Sequence, residues 1–239
     1  MDLHVAFLPQ LVRPGRQVCI VIDVIRASTS LITLVERGAS RILVASDVAA
    51  ARRMASRYDG AALAGELEGL APPGFQYGNS PVELSTASVA RRPVIFVTTN
   101  GTAAIRAVEQ NGPVLVGALR NGAAVCSEAW DAASGQRADL TLVCAGREGA
   151  FGIDDAYTAG YLAARLMDVH EWTLTDGTDA ALRLYRSEPD PLVLFRRSAA
   201  GQNVIRLGLS QDVDYCAERD RSSAVPRLGR ELVILESET

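Results

Sequence analysis

The chain contains no lysine: all 24 of its basic residues are arginine. That absence removes every chemistry that needs an amine in the site, including Schiff-base aldolases, pyridoxal-phosphate enzymes, Walker A nucleotide loops and haloacid-dehalogenase phosphatases. Histidine is almost as scarce. His4 and His170 stand alone outside any motif, which argues against histidine phosphatases and multi-histidine metal centres and leaves a hard cation on carboxylate oxygens as the expected metal chemistry. Four cysteines, Cys19, Cys126, Cys144 and Cys216, are far apart and form no CxxC or CxxH pair, so neither a zinc site nor a disulfide framework is expected. No apolar run approaches eighteen residues, the length of a membrane span, and residues 1–10 lack the basic-then-apolar pattern of a secretion signal. No basic block interrupts a net charge of -4, which argues against a nucleic-acid or membrane surface. A cytoplasmic protein is expected; the sequence leaves its oligomeric state, a homo-oligomer included, open.

What is present is a regular alternation. Short β-branched runs alternate with alanine-rich stretches, the pattern of an α/β fold, layered α/β/α on a largely parallel or mixed sheet. Strands are predicted over residues 18–24, 42–45, 61–65, 94–98, 114–117, 140–144 and 232–235. Helices are predicted over 28–37, 48–57, 102–110, 122–132, 154–167, 178–188, 191–199 and 211–220. Several strands are apolar throughout and so need helices on both faces. The 239 residues, 48% hydrophobic, suffice for one domain spanning residues 1–239 or for two closely packed lobes. Residues 69–85, rich in glycine and proline, form a loop too long for an ordinary turn.

Polar chemistry gathers where strands end, the place at which parallel α/β folds bind ligands. The first predicted strand runs into Asp23, Arg26, Ser28 and Thr29, the third into Glu66 and Glu68, the fourth into Thr98-Thr99-Asn100-Gly101-Thr102, and the sixth into Cys144-Ala145-Gly146-Arg147 with Asp154-Asp155 opening the next helix. Each piece has a structural reading beside the functional one. Asp23, Ser28 and Thr29 are also good helix caps. The Thr98–Thr102 segment is either a self-satisfied turn or a phosphate cradle in which Gly101 lets the backbone approach. Glu66 and Glu68 share a face that needs either a cation or solvent, and one of Asp154 and Asp155 is explained by the helix dipole alone. Cys144 lies too close to Arg147 for a cysteine-phosphatase loop and reads as a small buried residue. No G-x-G-x-x-G follows the first strand, so a dinucleotide site is not supported.

In order along the chain, Asp23-Val-Ile-Arg26-Ala-Ser-Thr29, Gly65-Glu66, Gly78-Asn79-Ser80-Pro81-Val-Glu83, Thr98-Thr99-Asn100-Gly101-Thr102, Asn121, Cys144-Ala-Gly146, Asp154-Asp155 and Asp212-Val-Asp-Tyr-Cys-Ala resemble the 2-phosphosulfolactate phosphatases of coenzyme M biosynthesis. The resemblance implies a Mg²⁺-dependent hydrolysis of phosphosulfolactate to sulfolactate and phosphate, on a fold particular to the family. Asp23, Arg26, Glu66 and Asp155 are the expected catalytic residues; the resemblance does not itself assign the metal ligands, and Mg²⁺ is expected on carboxylates drawn from Asp23, Glu66 and Asp155 with water completing the octahedron. Arg26 and the turn of Thr98, Thr99, Asn100, Gly101 and Thr102 would bind the phosphoryl oxygens, Asn79, Asn121 and Arg147 would orient the acid groups of a small anionic ester, and Thr29, Ser80, Cys144 and Gly146 complete the expected substrate-binding set. The nucleophile is metal-activated water or the Asp23 carboxylate. Two departures bear on the substrate: Leu67 stands where the family pattern has arginine, and Gln76-Tyr77 replaces Asp-Leu. Arg147 and Arg120 are the arginines expected to substitute. A phosphatase of the same fold acting on another phosphorylated hydroxy acid, and a non-catalytic phosphometabolite-binding protein, are the alternative expectations.

Overall fold

The computed structural model describes residues 1–234. In chain order the elements are β1 (Asp2–Ala6), β2 (Gln17–Ile22), α1 (Ala27–Glu36), β3 (Arg41–Ala45), α2 (Val48–Ala55), β4 (Ala62–Gly65), α3 (Pro81–Leu84), β5 (Pro93–Val97), α4 (Asn100–Val108), β6 (Val114–Val116), α5 (Gly122–Gln136), β7 (Asp139–Cys144), α6 (Ile153–Val169), β8 (Thr173–Leu174), α7 (Asp176–Ser187), α8 (Pro191–Arg197), α9 (Ala199–Arg206), α10 (Ser210–Cys216) and β9 (Leu232–Ile234). The strands form two sheets, β6-β2-β7-β1-β8 and β4-β5-β3-β9, and every pairing within them is parallel. The fold is therefore α/β and layered, with two sheets where a single layered sheet was expected. Of the expected strand 232–235, Leu235 lies outside the described residues.

The period-2 alternation of side chains explains how the layers stack. Along β2, Val18, Ile20 and Ile22 point to one hydrophobic cluster, which they share with α5, α6 and α7. The intervening Cys19 and Val21 point to another. That second cluster also receives Ile42 and Val44 of β3, Val94 and Phe96 of β5, Leu31 and Leu34 of α1, and Ala104, Ile105 and Val108 of α4. The alternate residues Leu43, Ala45, Ile95 and Val97 face α2 through Ala50 and Ala51. Helices α1 and α4 are thus a middle layer shared by both sheets. This is why α1 carries eight buried residues, Ala27 to Leu34 without a break: a helix enclosed on all sides must be apolar or internally bonded on all sides. Its hydroxyls comply, Thr33 donating to the Thr29 carbonyl at 2.8 Å and Ser30 to the Asn79 carbonyl at 3.0 Å.

The segment 69–85 is not a plain loop. Ser80 caps α3, accepting from the Glu83 N–H at 3.1 Å, with Pro81 at the first helical position, where its missing N–H costs nothing. The C-terminal helices α8, α9 and α10 contribute Phe195, Val204, Val213 and Cys216 to the cluster beneath the first sheet. No helix among the described residues is long and apolar enough to cross a membrane.

Candidate active site

The carboxyl ends of β2 and β7 in one sheet and of β4 and β5 in the other open onto a cavity of about 650 Å³. Asp23, Arg26, Glu66, Asn79, Thr98, Thr99, Asn100, Gly146, Arg147 and Asp155 all line it, so the four polar turns meet in one place.

Asp23 sits at the floor. Its Oδ1 accepts from the Ala27 N–H at 3.4 Å, while Oδ2 lies 3.2 Å from the point a Cβ on Gly101 would occupy. A side chain at 101 would crowd this carboxylate, Ala27 and Thr98 together, which is the physical reason for glycine there. Asp155 plays a different part: its Oδ1 accepts from the Val24 N–H at 2.9 Å and its Oδ2 from the Gly146 N–H at 3.0 Å. It clamps the turn after β2 to the turn after β7. Asp154, buried beside it and also lining the cavity, is an acid that the expected site did not include. Both oxygens of Glu66 are engaged, Oε1 by the N–H (3.1 Å) and hydroxyl (3.0 Å) of Thr99 and Oε2 by the Gly69 N–H at 2.8 Å.

Arg26 is 4% exposed and its guanidinium donates to Asp212 at 2.8 Å and to the Gly69 carbonyl at 2.6 Å. Asp212 in turn accepts the Ser80 hydroxyl at 2.5 Å. Arg26, Asp212 and Ser80 form a buried network joining the turn after β2, the cap of α3 and α10. Asp212 stands in the sequence only as part of a late motif; its pairing with a residue 186 positions away leaves no local signal.

Electrostatically the cavity is overloaded with acid. Burial, reinforced by the charges of Asp154 and Glu66, pushes the Asp23 carboxyl up to about 7 against the pull of the Ala27 N–H and Arg26. Burial likewise raises Asp154 to about 6, partly offset by its own N–H and by Arg147. Asp155 is held well above the ordinary carboxylate range by burial and then by the charges of Asp154 and Asp23. Six acids line the cavity, Glu68 and Glu148 being the other two, against the two arginines Arg26 and Arg147. Two buried polar atoms of the expected site, Asn79 Oδ1 and Thr102 Oγ1, have no hydrogen-bond partner.

Six expected site residues stand away from the cavity lining. Thr29 is fully buried, its hydroxyl donating to the Val24 carbonyl at 2.9 Å. Ser80 reaches the site only through Asp212, and Gly101 and Thr102 lie in α4 behind Thr98 to Asn100. Asn121 is fully buried and braces two stretches of backbone, the end of β6 and the segment at Ala224: its Oδ1 accepts from the Ala118 N–H at 3.0 Å and its amide donates to the Val116 and Ala224 carbonyls at 3.1 and 2.9 Å. Cys144 ends β7, fully buried, its thiol raised well above the usual value by burial. Arg120 is occupied elsewhere, paired with Glu36 and Glu218 and lying over the Tyr215 ring.

Two hairpins form the lips. Leu67 and Leu70 bridge antiparallel around Glu68 (φ 54°) and Gly69 (φ 87°), and Arg147 and Ala150 do so around Glu148 (φ 51°) and Gly149 (φ 78°). Positive φ at both central residues is what a type I′ turn requires. The Glu148 N–H donates to Asn100 at 3.1 Å, tying one lip to the start of α4. Helix α9 supplies a wall through Ala199, Ala200, Asn203 and Val204, a contribution nothing in its composition announces.

A family model described as 2-phosphosulpholactate phosphatase matches residues 7–231. The chain belongs to this family. It is thereby a phosphoric monoester hydrolase, and its curated relatives agree. A probable 2-phosphosulfolactate phosphatase of Deinococcus radiodurans is 42% identical over 229 residues, 95% of this chain and 93% of the relative. Proteins of the same name from Thermus thermophilus and Carboxydothermus hydrogenoformans are 38% identical (98% of each chain) and 31% identical (95% of this chain, 92% of the relative). The matched range takes in every strand except β1 and β9, and so every strand end that opens on the cavity.

Proposed function

We propose that the chain is a cytoplasmic Mg²⁺-dependent phosphatase that hydrolyses a small phosphorylated hydroxy acid, with 2-phosphosulfolactate as the first candidate substrate. The observation that carries the metal requirement is the charge of the cavity. A phosphate dianion does not enter a space lined by six acids and two arginines unless a cation neutralises part of it. The residues fit that cation. No group of three or more acids, histidines or cysteines among the described residues is set to cage a metal, but Mg²⁺ characteristically keeps several waters and binds through one or two carboxylates. Asp23 and Asp154 supply those carboxylates in place of the expected Asp23, Glu66 and Asp155, because both oxygens of Glu66 and of Asp155 already accept hydrogen bonds that hold the turns together. Asn79 Oδ1, a buried amide oxygen lacking a donor, suits a cation or its water shell. When bound, the ion would lower the pKa of water and offset charge on the phosphoryl oxygens.

The chain's own residues do the rest. Arg26, oriented by Asp212, presents a fixed guanidinium to the phosphoryl oxygens. The N-terminus of α4 offers peptide N–H groups to an anion. Asp155 and Glu66 hold the four turns in register through their bonds to Val24, Gly146, Thr99 and Gly69, and Arg147 stands at the entrance to meet the carboxylate of the ester. The nucleophile is water or Asp23 itself. Single turnover in H₂¹⁸O separates them, because label retained in the enzyme carboxylate discards direct attack by water. The reading as a whole is tested by phosphate release with Mg²⁺ and with EDTA: activity lost in EDTA and restored by Mg²⁺ is expected. Full activity in EDTA removes the metal. Mg²⁺ binding with no release from any phosphorylated acid would make the chain a phosphometabolite-binding protein.

A further inference from the structure

Helix α9 turns Ala199, Ala200, Asn203 and Val204 to the cavity, and of these only Asn203 has a side chain that can hydrogen-bond. Its orientation follows from its neighbours. The Arg206 guanidinium donates to Asn203 Oδ1 at 3.2 Å. A guanidinium has no acceptor to offer, so the oxygen must face Arg206 and the amide nitrogen is left for the other side. There it stands against the Gly69 lip and beside Arg26: a Cβ on Gly69 would meet Asn203 Nδ2 at 3.6 Å and Arg26 Nη2 at 4.0 Å. Among the described residues Nδ2 donates to nothing.

Helix stability does not account for an asparagine here. Inside α9 it is a poorer helix former than alanine, and its exposed contact with Arg206, three residues on, adds little. Its surroundings suggest a different use. Arg26, the cation assigned to the phosphoryl group, lies beside the amide. Arg147, the cation assigned to the carboxylate of the ester, is anchored one helical turn earlier, donating to the Ala199 carbonyl at 3.2 Å. A further acid group on the same ester finds in Asn203 a donor that has no other acceptor to give up.

We propose that Asn203 is a specificity-determining contact, its Nδ2 donating to the second acid arm of the ester, the carboxylate or sulfonate that Arg147 does not take. The inference deepens the phosphatase reading and rests on it for the position of the phosphoryl group.

The test measures phosphate release, with Mg²⁺, from three esters that differ in that arm: 2-phosphosulfolactate with a sulfonate, 2-phosphomalate with a carboxylate and 2-phospholactate with neither. Asn203→Ala should lower kcat/KM for the two-acid esters by ~10-fold or more, mainly through KM, and for 2-phospholactate by less than about twofold, since only the former lose a hydrogen bond to a charged group. Asn203→Asp, of the same size, can still accept from Arg206 but sets a negative charge against the arm, so its loss on the two-acid esters should be larger still. Equal losses on all three esters, or no loss on any, overturn the contact, as does a wild type that hydrolyses 2-phospholactate best. Should none be hydrolysed, the phosphatase reading fails by itself, and calorimetric binding of the three corresponding non-hydrolysable phosphonates to wild type and variants decides the contact. A loss confined to the two-acid phosphonates supports it; a uniform or absent loss overturns it.

Discussion

Removing the carboxylate of Asp212 strikes fold and site together. Its two oxygens serve Arg26 at 2.8 Å and Ser80 at 2.5 Å, and its side chain is 2% exposed against 4% for Arg26. Asp212→Ala therefore leaves a guanidinium out of water with only the Gly69 carbonyl as partner. Breaking a buried pair from one side typically costs 3–5 kcal/mol, of which the stranded charge is the larger part. For a chain of this size about 2–4 °C of Tm follows each kcal/mol, so a fall of roughly 6–20 °C is expected in a thermal melt. Turnover should drop as well, because Arg26 is free to leave the cavity. The double variant Arg26→Ala/Asp212→Ala isolates the cause. With no charge to strand, it should melt above Asp212→Ala, a non-additivity that a simple packing defect does not produce. A double variant less stable than either single one would refute the reasoning.

Arg26→Ala alone should raise the barrier for phosphate release by about 2–4 kcal/mol, the scale of one lost transition-state donor; a loss of kcat/KM under tenfold removes that role. In EDTA, stability should decline as pH rises from about 4 to about 7. The folded chain holds a proton on Asp23 with a midpoint raised from 3.8 to about 7, whereas the unfolded chain releases it, so folding binds protons across that window. Asp23→Asn should flatten the profile in chemical denaturation; a wild-type curve that rises through this range contradicts the assignment. At the lips, Glu68→Asn and Glu148→Asn should each stabilise by about 0.5–1 kcal/mol, since asparagine tolerates the left-handed region that φ of 54° and 51° imposes better than glutamate does. Equal or lower melting temperatures would show that the glutamates earn their place through contacts at the tip.

Strand ends were the most legible part of the molecule, because buried parallel strands are written as unbroken apolar runs and their ends as abrupt polarity. Asp23, Glu66, Thr98 and Gly146 follow from that contrast alone. The division into two sheets was not legible: β3 and β5 pair across fifty residues, and nothing local encodes which apolar run finds which. Strand β1, Asp-Leu-His-Val-Ala, hid because its polar alternation and short length resemble a coil. Asn121 and Cys144 show the converse difficulty, since a chemically capable side chain at the right place in sequence is equally able to satisfy backbone or fill space, and only burial tells which. The α9 wall is built from Ala199, Ala200 and Val204, residues whose contribution is shape, and shape has no sequence motif.

Because β2 and β7 come from one sheet and β4 and β5 from the other, the width of the cavity is set by the thickness of the helices between the sheets. Leu31, Leu34, Ala104 and Ile105 act as spacers, a few ångströms of hydrocarbon that fix how far Asp23 stands from Glu66. Exchanging a spacer for a larger or smaller one would widen or narrow the jaws without altering any group that meets the ester, giving this architecture a way to refit itself to a different molecule from the inside.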